Sequence, residues 1–196
     1  MESYEKEIFN FFTVEDNFLS MCKVAKNYPS VLRQLKDEFW KIVQIKIENL
    51  LISHNSSYHS KITGKITDER TNIMLFKNDW PIENSQPVCA IAIQRLAASN
   101  WPFYGPWINR DSQNMDLDRM YSECQNSEVG RAFEKDNDNE FPFWSDLNID
   151  FSQDEGYLKI LPDRRESFAE SIALKVFDLA NKMEQELDEI SKFSKT

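Results

Sequence analysis

Apolar residues recur at spacings near three and four through the first fifty positions, a rhythm that predicts helix. Ile8, Phe11, Phe12, Phe18, Leu19, Cys22 and Ala25 crowd one wide face over about residues 5–26. Tyr28-Pro29-Ser30 is expected to end this helix, with Ser30 as the N-cap of a second. That second helix carries Leu32, Leu35, Phe39, Ile42 or Val43, Lys46 or Ile47, and Leu50, so residues 1–52 read as a helical hairpin. After the polar break His54-Asn55-Ser56-Ser57 the pattern changes to strands. Residues 58–67 hold Ile62 and Ile66 with Gly64 as a bulge, and residues 72–77 form a second strand across a loop at 68–70. Residues 88–93 are apolar at every position, so both faces should be covered and this should be the central strand.

Trp101-Pro102-Phe103-Tyr104-Gly105-Pro106-Trp107 follows, with four aromatics, two prolines and a glycine in seven residues. Two prolines so spaced stop a helix and do not suit a paired central strand. A stiff turn or edge is expected, holding large rings in a core or on a recognition surface. Residues 111–138 are polar, with Leu117, Met120, Tyr121 and Cys124 at the spacing of a short surface helix. A loop through Asp136, Asp138 and Glu140 leads into Phe141-Pro142-Phe143-Trp144. Residues 147–151 and 157–161 alternate like strands, turning at Asp154-Glu155-Gly156. Asp163 and Glu166 then form a capping box ahead of Phe168, Ile172, Val176, Leu179, Met183, Leu187 and Ile190, a C-terminal helix over 163–193. Its first half should be buried. Its second half keeps a narrow stripe that projects and offers a surface for self-association. The order of elements gives one α+β domain, with a sheet region at 58–161 of about five antiparallel or mixed strands.

Charge and composition narrow the function. There are 33 Asp+Glu against 23 Lys+Arg, a net charge of −10, which disfavours direct nucleic-acid binding and favours a basic protein partner. Three cysteines without CxxC spacing, Cys22, Cys89 and Cys124, fit reduced thiols in a cytoplasm. The acidic start lacks a secretory pattern, and no apolar run reaches the ~18 residues of a membrane span. Gly64, Gly105, Gly130 and Gly156 lie far apart, which rules out a phosphate-binding loop or a dinucleotide fingerprint. No GxSxG elbow exists, and His54 and His59 sit together in a polar break with nothing to orient them. Asp136, Asp138 and Glu140 open like a calcium loop, but Phe141 and Leu147 occupy the positions that need glycine and glutamate. Neither a cofactor nor a metal site is expected.

A helical hairpin, a strand pair with Trp80, an apolar strand running into Tyr104-Gly105, the Phe143-Trp144 pair and a long terminal helix resemble the C-terminal region of PD-(D/E)XK nuclease superfamily proteins from bacteria and phages. The resemblance covers about residues 30–190. It implies carboxylates that hold magnesium and a lysine that assists the attacking water. None of the fifteen lysines has Asp or Glu two positions before it, so the resemblance implies a non-catalytic relative or accessory region.

The expected function is therefore binding. The sequence reads as a small acidic inhibitor of the immunity, antitoxin or phage anti-defence type, acting on a basic or nucleic-acid-binding target. Its contact residues would be Trp101, Phe103, Tyr104, Trp107, Asp136, Asp138, Glu140, Phe143 and Trp144. The competing expectation is a divergent metal-dependent nuclease using Asp136, Asp138, Glu140, Asp146 or Asp150.

Overall fold

The computed structural model describes residues 3–64, 71–94, 101–133 and 140–194. Helices α1 (Ser3–Phe12) and α2 (Glu15–Ser53) lead into strands β1 (Tyr58–Thr63) and β2 (Asn72–Lys77). A small hairpin, β3 (Ile82–Glu83) and β4 (Gln86–Pro87), turns at Asn84 and Ser85, both at positive φ. Strands β5 (Cys89–Gln94) and β6 (Phe103–Ile108) come next, then helices α3 (Leu117–Asn126) and α4 (Glu128–Ala132). The chain ends with β7 (Ser145–Asp146), α5 (Asp154–Leu158), α6 (Arg165–Lys182) and α7 (Glu184–Ile190).

The main sheet is antiparallel throughout, in the order β1-β2-β5-β6-β7. The continuous apolar run therefore does occupy the centre, and Cys89, Ala90, Ile91, Ala92 and Ile93 are all buried. Helix α2 packs along α6 and touches β1, while α6 also meets β5 and β6. The largest buried side chains, among them Trp40, Phe39, Phe141 and Phe143, join one continuous core with both sheet faces.

Several elements differ from the sequence expectation. The N-terminal hairpin is absent: the chain breaks at Thr13-Val14, and α2 then runs for 39 residues straight through Pro29. Proline removes one N–H, whose partner would be the carbonyl of Ala25. Ala25 is exposed, so that carbonyl stays hydrated and the helix continues.

Most of the Trp101-to-Trp107 segment is a strand: Phe103–Ile108 form β6, and Trp101 and Pro102 precede it. β6 pairs along its whole length with β5, including Ile91 opposite Pro106. The Leu147 N–H donates to the Pro102 carbonyl at 3.2 Å and the Ile108 N–H to the Glu140 carbonyl at 2.8 Å. Even-numbered backbone groups of β6 therefore point away from β5. On that side β7 pairs only with Phe103 and Tyr104, so the nitrogen of Pro106 falls where no ladder bond is needed.

Residues 147–151 and 157–161 are not strands. Leu147, Ile149 and Phe151 are buried in alternation, but Asp146 accepts from the Asn148 N–H (2.8 Å) and Asp150 from the Ser152 N–H (2.8 Å). These local bonds capture the backbone before a ladder forms, and α5 follows. The capping box also fails to form. Helix α6 starts after Arg164 without a side-chain cap, and Glu166 instead reaches Lys46 at 3.1 Å.

The C-terminal helix is interrupted at Met183, and its second half turns inward. Leu179, Met183, Leu187 and Ile190 are all buried, so the stripe expected to project belongs to the protein's own core.

Candidate functional site

Two of the polar constellations among the described residues bear on function. The first is partly buried, with Lys77 covered and its two carboxylate partners reaching the surface. Lys77, the last residue of β2, bonds Glu184 at 2.8 Å and Asp188 at 2.7 Å. The Trp80 indole N–H donates to Asp188 at 2.8 Å, and the Tyr58 hydroxyl donates to the Ala180 carbonyl at 3.0 Å. The Tyr58 and Trp80 rings meet edge to face. Burial works against both charges, yet the mutual hydrogen bonds prevail: the Lys77 pKa is raised and that of Asp188 is lowered. Burial raises the Tyr58 phenol as well. With every polar member bonded, this group fastens α7 to the sheet and offers little to a ligand.

The second constellation is open. Beside β6 and β7, a groove of about 330 Å³ is lined by Trp101, Asp146, Asp150, Glu155, Lys159 and their neighbours. Trp101 is 59% exposed. A 2.6 Å hydrogen bond from the Ser152 hydroxyl, the Ser152 N–H and the Trp101 indole hold the Asp150 carboxyl below its ordinary range. Asn148, at positive φ, turns the chain so that its carbonyl accepts from Lys159 Nζ at 2.6 Å. Gly156 seats the start of α5 against the Asp150 carbonyl, where any Cβ would collide. A rigid indole thus stands beside three carboxylates on a turn-rich rim. Such a surface suits a cationic side chain, which the indole face and the carboxylates both attract.

The sequence candidates divide around this geometry. Phe103, Tyr104, Trp107 and Phe143 are buried and Trp144 is half-buried, so the surface expected from two aromatic groups narrows to Trp101. The buried rings pack on one another: Phe103 meets Phe141 edge to face and lies 4.9 Å from Trp144. Glu140 accepts from the Trp107 indole at 3.1 Å and from Gln94 at 3.5 Å, so its carboxylate serves the sheet edge. Asp136 and Asp138 lie outside the described residues. Asn148, Gln153 and Lys159 complete the groove without a sequence signal of their own, joined by Glu155, which the sequence marked only as a turn residue. Their shared signal was the density of turn formers between positions 145 and 156.

Among the described residues, no group of three His, Cys, Asp or Glu side chains is placed to hold a metal ion. Among them, too, no helix is long and apolar enough to cross a membrane. Cys22, Cys89 and Cys124 are free thiols; burial pushes the Cys124 thiol up to about 12, a poor nucleophile at neutral pH. No protein-family model, curated protein or solved structure matches this chain.

Proposed function

We propose that this chain is a non-catalytic acidic protein-binding protein, an inhibitor of the immunity, antitoxin or anti-defence type, and that it grips a basic target through the Trp101 groove. The observation that carries the reading is the exposed Trp101 indole, tied to Asp150 and set among Asp146, Asp150 and Glu155. A lysine or arginine of the target would lie over the indole and pair with the carboxylates. The surplus of acid across the molecule would speed encounter with a basic surface, above all one that also handles nucleic acid.

The test is a pull-down of the tagged protein from its native cells, washed at low and then high salt, followed by titration of the captured partner. One stoichiometric partner that leaves as salt rises is expected. Trp101→Ala should weaken its binding by about 2 kcal/mol, roughly thirtyfold. Affinity indifferent to both salt and Trp101→Ala would overturn the proposal.

Two carboxylates, Asp146 and Asp150, share the groove, which favours the nuclease relationship as the competing reading. Titration with magnesium or manganese decides between them. A metal site would raise the melting temperature and support cleavage of DNA or RNA; a binding protein would show neither.

A further inference from the structure

The N-terminal third of α2 leaves the domain. Phe39, Trp40, Val43, Ile47 and Leu51 are buried, whereas residues 15–31 are exposed except for the partly covered Asn17 and Met21. Residues 15–27 alone project over about 20 Å. A bare solvated helix would be polar all round, and this one is not. Phe18, Met21, Ala25, Tyr28, Leu32, Leu35 and Phe39 alternate at spacings of three and four, a heptad stripe. Its last two residues pack on the core; the rest carry the same stripe out into solvent. Val24 and Val31 widen it. Val14, Phe18, Val24, Tyr28 and Val31 are each about half exposed or more, as are Phe9 and Phe11 on α1. Leu19 and Ile8 are exposed nearby. At about 100 Å² of open surface for each such side chain, the five on this side of α2 present on the order of 500 Å² and the three on α1 about 300 Å² more, whereas Leu19 lies on the opposite side of α2. The largest apolar patch on a typical monomer is about 300–600 Å². A standard interface buries about 800 Å² on each partner.

Charge identifies the occupant. Positions 17–36 carry Lys23, Lys26, Arg33 and Lys36 and no acidic residue. The preceding stretch carries Glu2, Glu5, Glu7, Glu15 and Asp16 against Lys6. The arm is therefore acidic at its tip and basic along its shaft, and two arms complement each other only head to tail. Separations of eleven and seven residues put Glu15, Lys26 and Arg33 within about 20° of one another around the helix, on one flank of it, about 60–80° beyond Phe18 at the margin of the stripe. In an antiparallel pair a twofold axis normal to the plane of the helices sets like edges side by side. Centred on the small residues Cys22 and Ala25, the pair places Glu15 of one copy against Arg33 of the other.

We propose that this arm is a homodimerisation element, pairing antiparallel with the arm of a second copy of the chain. It is separate from the Trp101 groove, and either can fail without the other.

Light scattering across a concentration series should give twice the 23.1 kDa chain mass. Phe18→Asp, outside the core, should return the monomer mass with an unchanged melting transition of the sheet domain. Glu15→Arg should weaken the dimer at low salt, and Glu15→Arg with Arg33→Glu should restore it. A short bismaleimide should join two chains through Cys22, the exposed thiol, and Cys22→Ser should abolish the product. A monomer at every concentration overturns the proposal, as does a dimer indifferent to Phe18→Asp. A monomer whose arm sediments with anionic lipid vesicles overturns it too.

Discussion

Gly105 marks the closest approach of β6 to the backbone of residues 143 and 144. A Cβ there would collide with the Phe143 carbonyl and sit 3.1 Å from Trp144 Cα. Backbone cannot swing aside as a side chain does, so Gly105→Ala should destabilise by at least about 2 kcal/mol. Thermal unfolding should show a fall of roughly 4–8 °C; an unchanged transition would mean that this contact yields. Lys77 and Asp188 give a prediction in pH. The lowered Asp188 pKa adds stability that is present above its ordinary value of 3.8 and lost as pH falls through the folded-state value. The raised Lys77 pKa adds stability that is present below its ordinary 10.5 and lost as pH rises through the folded-state value. Their joint contribution is a plateau between those limits. Asp188→Asn should lower the melting temperature on the plateau and flatten its fall on the acid side. Parallel curves for the two proteins would show that other carboxylates govern the acid limb.

Among the elements, α2 shows how far a local signal can mislead. Tyr28-Pro29-Ser30 has the chemistry of a helix end, yet the break falls at Thr13-Val14, where Val14 supplies no side-chain cap. Because Pro29 lies on the exposed arm, Pro29→Ala should restore one backbone hydrogen bond and steady the arm by up to about 3 kcal/mol. Far-UV circular dichroism should show more helix that melts later; no gain would place the weak point elsewhere. The strands expected at 147–151 and 157–161 fail for the opposite reason. Their apolar alternation correctly marks Leu147, Ile149 and Phe151 as buried, but Asp146 and Asp150 hold the backbone in local turns. Alternation reports which side chains go inward, and a ladder also needs a partner strand.

For the whole molecule, the core begins where α2 meets the sheet. Leu35 packs against that core and Phe39 is its first fully buried residue, whereas the preceding arm makes few contacts with the domain. A chain starting near residue 28 should therefore unfold cooperatively with a melting temperature close to that of the full-length monomer. Loss of the transition on truncation would show that the arm supports the domain.

Periodicity in the sequence was enough to determine the α+β class, the central place of the 88–93 strand, the helix at 117–126 and the burial of the C-terminal stripe's first half. Each follows from a pattern of apolar residues that only one kind of element can bury. Part of the candidate site was legible in the same way: Trp101 as an aromatic at a proline-stiffened corner, and Asp146 and Asp150 as acids. What the sequence left open was orientation. Whether a ring of the 101–107 segment meets water depends on β6 pairing with β5 and on backbone 143–144 covering Gly105. Whether the last helix projects depends on Lys77 and Trp80 holding Glu184 and Asp188 against the sheet. The contacts of Lys77 and Trp80 join positions more than a hundred residues apart, and only the folded chain brings them within a few ångströms.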